Sequence, residues 1–176
     1  MDIESMQNQL FFERSEEFLK EFHMKKGEYE QWIFKDLEEK SVEYIVISPL
    51  YSSFVTRSYE YRLGVYGKDL YLSNLNKSIY KELPLMKKYI TEDFAMIDKY
   101  MLGDMQVQEF TDWQKKDIKY QYSLRYLMIG RQIWRELIDN FVEYINKKNR
   151  AVLDNISIVY GLYMERGEHF FSGDIV

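Results

Sequence analysis

Arg57, Glu60 and Arg62 place charges of both signs in a short stretch that also holds Tyr59 and Tyr61, with Tyr51 and Tyr66 on either side. Read as one extended strand from Phe54 to Tyr66, the stretch has a period of two, which puts Val55, Arg57, Tyr59, Tyr61, Leu63 and Val65 on one face. Phe54, Thr56, Ser58, Glu60, Arg62 and Tyr66 then fall on the other. Arginine and tyrosine are among the side chains that most often anchor protein contacts. Tyr51, Arg57, Tyr59, Glu60, Tyr61, Arg62 and Tyr66 are therefore the candidate recognition residues. A solvated sheet face with weak cross-strand ion pairs explains the same residues more plainly and is the favoured reading of the patch.

Other chemistry is thinly represented. The chain has no cysteine, which excludes disulfides, zinc-thiolate sites and thiol catalysis. Its two histidines, His23 and His169, lie far apart and lack the spacing of metal-ligand pairs. A capping or partly exposed role suits both better than catalysis. Gly67-Lys68 is followed by Asp69 and lacks the glycine run of a phosphate loop. Neither a G-x-G-x-x-G dinucleotide motif nor a G-x-S-x-G nucleophile elbow occurs. No catalytic residue, metal ligand or cofactor is expected on this basis. An enzyme reading would have to build its site from Arg57, Tyr59, Glu60 and Arg62.

Arg131 interrupts an apolar stripe, so it needs a carboxylate partner or a path along Trp134 to the surface. Structural pairing is its first expected role and an anion site its second.

Charge is unevenly spread. Residues 1–43 carry twelve acidic against six basic side chains, and residues 113–150 carry nine basic against four acidic. The chain as a whole is −5 with a pI near 5.2. The basic stretch, with Trp113 and Tyr120, could meet nucleic acid, but its cations fall on several helix faces and the overall acidity opposes phosphate-driven affinity.

Sixteen tyrosines, eleven phenylalanines and three tryptophans make the chain rich in aromatics. Part of that excess reflects codon usage. Alanine, with GC-rich codons, occurs only at Ala95 and Ala151, as in a low-GC bacterial or phage genome.

The elements that must position these residues follow from periodicity. Met6, Leu10, Phe11, Phe18 and Phe22 recur at helical spacing up to a stop at Gly27, and a second short helix carries Tyr29, Trp32, Ile33 and Leu37. Residues 42–47 read as a strand ended by Pro49. The strand 54–66 follows and turns at Gly67-Lys68-Asp69 to return through Leu70–Leu72. Residues 74–102 read as helical with a break near Pro84.

Thr111 and Gln114 fit a capping box. It opens the longest helix, to about Lys148, whose two apolar stripes mark it as central and covered on most sides. Residues 156–164 and 169–171 return to strand and must join the meander, because an isolated hairpin is marginal.

These elements predict a single α+β domain over residues 1–176, with a mainly antiparallel sheet of about five strands. The long helix packs on one face, and the other is partly open or covered by the N-terminal helices. The acidic N-terminus and the lack of any long apolar run predict a cytoplasmic protein without membrane association.

The expected function is non-enzymatic: occlusion of a protein partner, as by an immunity protein or a mobile-element inhibitor of bacterial or phage type. Net negative charge would steer a basic partner. Self-association is left open, and nucleic acid is disfavoured.

Overall fold

The computed structural model describes residues 2–37, 43–67, 77–103, 110–153, 155–161 and 167–173. Helix α1 (Ile3–Leu37) is followed by β1 (Tyr44–Pro49), α2 (Tyr51–Thr56), β2 (Glu60–Tyr66) and β3 (Lys77–Glu82). Then come α3 (Pro84–Gly103), α4 (Asp112–Leu124), α5 (Tyr126–Leu153), β4 (Ser157–Tyr160) and β5 (Glu168–Ser172). The architecture is α+β.

The five strands form one sheet in the order β3-β2-β1-β4-β5. Three of its pairings are antiparallel and β1–β4 is parallel, so the tail strands do complete the meander. Alternation gives the sheet its apolar face. Ile45 and Ile47 of β1 stand beside Val65 and Leu63 of β2 and beside Ile158 and Tyr160 of β4, all buried.

Helix α5 covers that face. Its residues Ile133, Trp134, Leu137, Ile138 and Phe141 are all buried, as two stripes require. Tyr61 of β2 meets Trp134 at 5.5 Å between ring centroids. Helix α1 packs on α3 and α5 rather than on the far face of the sheet. Its Phe18 lies edge-on to Tyr89 and Tyr126, and its Phe34 packs on Phe141.

Several expectations are corrected. The N-terminus is one helix, not two. Gly27 costs α1 about 1 kcal/mol relative to alanine, but Phe22, Tyr29, Ile33 and Leu37 are buried on both sides of it and hold the helix through. The strand assigned to 54–66 begins only at Glu60, because 51–56 is helical. The returning strand is 77–82, where helix was expected, and its helix starts at Pro84, where the ring's fixed φ suits a first turn. The expected return through 70–72 and the outer part of the strand at 162–164 lie outside the described residues.

The helix expected from 111 to 148 is bent at Arg125 into α4 and α5. There the Ser123 hydroxyl donates to the Tyr120 carbonyl, a back-bond of the kind that bends helices, and the Arg125 amide bonds Tyr122 three residues back. The capping box is present as read, with the Gln114 amide donating to the Thr111 hydroxyl and the Thr111 amide to the Gln114 side chain.

One carboxylate ties the helical layer together. Asp93 of α3 has 0% exposure. It accepts from Arg14 Nε of α1 at 2.7 Å, from the Tyr122 hydroxyl of α4 at 2.7 Å and from the Tyr126 hydroxyl of α5 at 2.6 Å. Arg14 also bonds Glu17 and Glu92, so the charge pair has the extra hydrogen bonds that a buried ion pair needs.

Candidate functional site

The candidate site grows out of the short connection between β1 and β2. Pro49 closes β1, and Ser53 then organises the turn. Its hydroxyl donates to the Leu50 carbonyl and accepts the Glu60 amide at 2.8 Å. Helix α2 is built around that side chain and ends at Arg57, whose left-handed backbone (φ 63, ψ 29) reverses the chain. Tyr59 is left-handed as well, at φ 52. Non-glycine residues adopt this region at a cost, and such positions cluster at functional sites.

Arg57 is thereby directed to a cleft of about 460 Å³ between α2, α3 and α4. Phe54 and Phe94 supply its apolar floor, and Val55, Trp113 and Tyr120 its walls. The Arg57 guanidinium lies 5.4 Å from the Phe94 ring centroid. Trp113 sits in the first turn of α4 and is 72% exposed, and Val55 on α2 is 68% exposed.

Lys119 is paired with Asp98 at 2.6 Å. Arg57 and Lys116, also at the cleft, are cations without a carboxylate within ion-pair distance among the described residues. A larger cleft, about 690 Å³ between α1, α5 and β5, is different in this respect. There Arg131 bonds Glu168 at 2.6 Å, Arg135 faces Asp139, and Glu136 meets His23 and Lys26. Its charges are already matched.

The structure divides the seven residues read from the sequence. Arg57 lines the cleft, and Tyr51 is exposed at the start of α2. Tyr59, Tyr61 and Tyr66 are buried. Tyr59 lies edge-on to Phe54, and burial pushes its phenol up to about 12. Tyr61 points into the helical layer, and desolvation holds its phenol well above the usual range. Glu60 accepts from the Ser58 hydroxyl. Arg62, on the opposite sheet face from Tyr61, donates to Ser78 and to the Tyr66 hydroxyl.

Arg57, Tyr59, Glu60 and Arg62 thus do not converge on one reaction centre. Among the described residues no group of three His, Asp or Glu side chains is placed to hold a metal ion. Arg131 reaches the surface and pairs with Glu168, the structural role expected first. His169 lies within β5, with Nδ1 3.4 Å from the Ser157 hydroxyl.

The cleft also contains residues that strand periodicity does not link to Arg57, namely Phe94, Trp113 and Lys116. Trp113 had one local signal. An aromatic residue two places after a cap stands in the exposed first turn of an amphipathic helix, where it has little to pack against. Comparisons with protein-family models, with curated proteins and with solved structures give no match to this chain. Among the described residues no helix is long and apolar enough to cross a membrane.

Proposed function

We propose that this protein binds another protein and acts by occluding it, in the manner of an immunity protein or a mobile-element inhibitor, with the Arg57–Trp113 cleft at the centre of the contact. The observation that carries the reading is the pairing of exposed Trp113 and Val55 with unmatched cations around a ready-made apolar floor. Tryptophan and arginine dominate the energetics of protein contacts, especially where a rim excludes water from them.

Magnitude sets the scale of the contact. Burying one large aromatic side chain removes roughly 150–250 Å² from water, worth about 4–6 kcal/mol at 25 cal/mol per Å². Association costs about 4–15 kcal/mol in lost freedom. The cleft alone therefore cannot hold a partner, and a stable complex needs a surrounding contact on the order of 800 Å² per side. Tyr51 at the start of α2 is exposed on the same connection and can contribute to such a rim.

The test is photo-crosslinking in the producing cell, with a photoreactive phenylalanine analogue at position 113 or 55 and, as control, at the exposed position 24 of α1. A single stoichiometric protein adduct at 113 and 55 but not at 24 is expected. Adducts that are equally diverse at all three positions would discard the reading.

A further inference from the structure

The charges free at the Arg57–Trp113 cleft are opposite in sign to the chain as a whole. The protein carries −5, yet the cleft offers Arg57 and Lys116 without carboxylate partners, against the single unmatched acid Asp117. Lys119 is neutralised by Asp98 and adds nothing further. Lys116 and Asp117 are adjacent on α4, and successive side chains on a helix diverge by about 100°. The lysine is consequently not quenched by its neighbour.

We propose that the cleft receives an acidic segment of the partner, one apolar side chain seated on Phe54 and Phe94 against Trp113 while flanking carboxylates meet Arg57 and Lys116. This rests on the binding reading above and adds the chemistry of the segment that is bound. A guanidinium offers a carboxylate two parallel N–H donors, and such charge-assisted bonds are roughly twice as strong as neutral ones. An apolar pocket rimmed by two cations selects a peptide carrying both features. Single-stranded nucleic acid fits less well, because it needs a continuous track of cations along its phosphates as well as a stacking face. Two free cations beside one indole do not make that track.

Short random peptides displayed on phage test this, selected on the full chain and depleted on an Arg57→Glu/Lys116→Glu variant whose helical circular dichroism matches the parent. Lys116→Glu alone serves as a second depletion variant that leaves the left-handed turn untouched. The expected peptides are net acidic with one aromatic or aliphatic anchor. They should shift the Trp113 indole resonance and bind the doubly reversed variant at least tenfold more weakly.

Enrichment of basic or neutral peptides overturns the proposal, as does no enrichment or displacement of the selected peptides by single-stranded DNA. The crosslinking test separates the two levels. A stoichiometric partner captured at position 113 through a basic segment removes the acidic ligand and leaves occlusion standing. Failure to capture any stoichiometric partner removes both.

Discussion

The hydroxyl of Tyr61 occupies the place that a side chain on residue 130 would need. A Cβ built on Gly130 of α5 would lie 1.8 Å from that oxygen and 3.1 Å from the Met86 terminal methyl. A side chain of the sheet thus comes close against the central helix where the helix has no side chain of its own. Gly130→Ala gains about 1 kcal/mol of helix propensity but must displace a buried ring, and overpacking of this kind costs about 1–3 kcal/mol or more. Net destabilisation in urea titration is expected. Tyr61→Phe removes the closest atom, and because the Tyr61 hydroxyl makes no hydrogen bond of normal geometry, that change should be nearly neutral alone and should recover part of the loss in the double variant. Additive losses would refute the steric account.

Gly27 of α1 is the opposite case. A Cβ there meets nothing within 4 Å, so only the backbone term remains. Gly27→Ala should stabilise the fold by about 0.5–1 kcal/mol, seen as a higher denaturation midpoint with an unchanged slope. A loss of stability would mean that α1 needs a flexible point at that position.

Asp93 should be the most sensitive polar position in the chain. Replacing it with Ala leaves two buried tyrosine hydroxyls without their acceptor and takes from the Arg14 guanidinium, only 13% exposed, its one fully buried carboxylate, with Glu17 and Glu92 remaining at the surface. Breaking a buried pair in this way costs about 3–5 kcal/mol. Tyr126→Phe removes one hydrogen bond to a charged group and should cost about 1.5–3 kcal/mol. A double-mutant cycle of Arg14→Met and Asp93→Leu in chemical denaturation provides the sharper comparison, because Glu17 and Glu92 keep Arg14 partnered in the Asp93 variant and only the coupling term isolates the buried pair. If the two losses simply add, the pair is not what joins α1 to α3.

Alkaline pH should unfold the protein cooperatively. Burial above all holds Tyr61, Tyr122, Tyr126 and Tyr160 well above the phenol's ordinary value, with the Asp93 charge adding to it for Tyr122 and Tyr126. The folded state therefore keeps protons that the unfolded chain releases. Stability is fully present below the unfolded pKa near 10 and is lost as pH rises above it, by up to about 1.4 kcal/mol per pH unit for each such tyrosine. Tyrosinate absorbance should rise in a step that coincides with the loss of helical circular dichroism. A smooth titration of all tyrosines with the helices intact would contradict the sign.

How far the sequence reveals this structure varies with how local each signal is. Thr111 and Gln114 sit three residues apart and satisfy each other, so the start of α4 was readable outright. Pro84 fixed the start of α3 for a similar reason. Helix α2 was hidden because Phe54, Val55 and Thr56 favour strands by local preference, and what makes the segment helical is the Ser53 hydroxyl bonding across to Glu60. The site was half legible. Arg57 stood out as a charged residue among tyrosines, whereas Trp113 and Phe94 reach it only because α2, α3 and α4 meet. The tyrosines that drew attention to the region, Tyr59, Tyr61 and Tyr66, are buried: Tyr61 by alternation within β2 toward the helical layer, Tyr59 against Phe54 just ahead of the strand, and Tyr66 on the face it shares with Arg62.

Arg57 lets stability and function be set against each other at one position. Its φ of 63 is the conformation in which a helix-ending glycine is most at home, and a non-glycine residue there gives up about 1–2 kcal/mol. Its contact with the Phe94 ring recovers about 0.5–1 kcal/mol at most. Arg57→Gly should therefore leave the protein slightly more stable, by up to about 1 kcal/mol, with a higher midpoint of thermal unfolding. The same variant removes a cation from the cleft and should weaken binding of a selected acidic peptide by several fold. Gain in one measurement with loss in the other is the signature of a residue kept for its contact. Greater stability with unchanged peptide affinity would show that Arg57 only ends the helix.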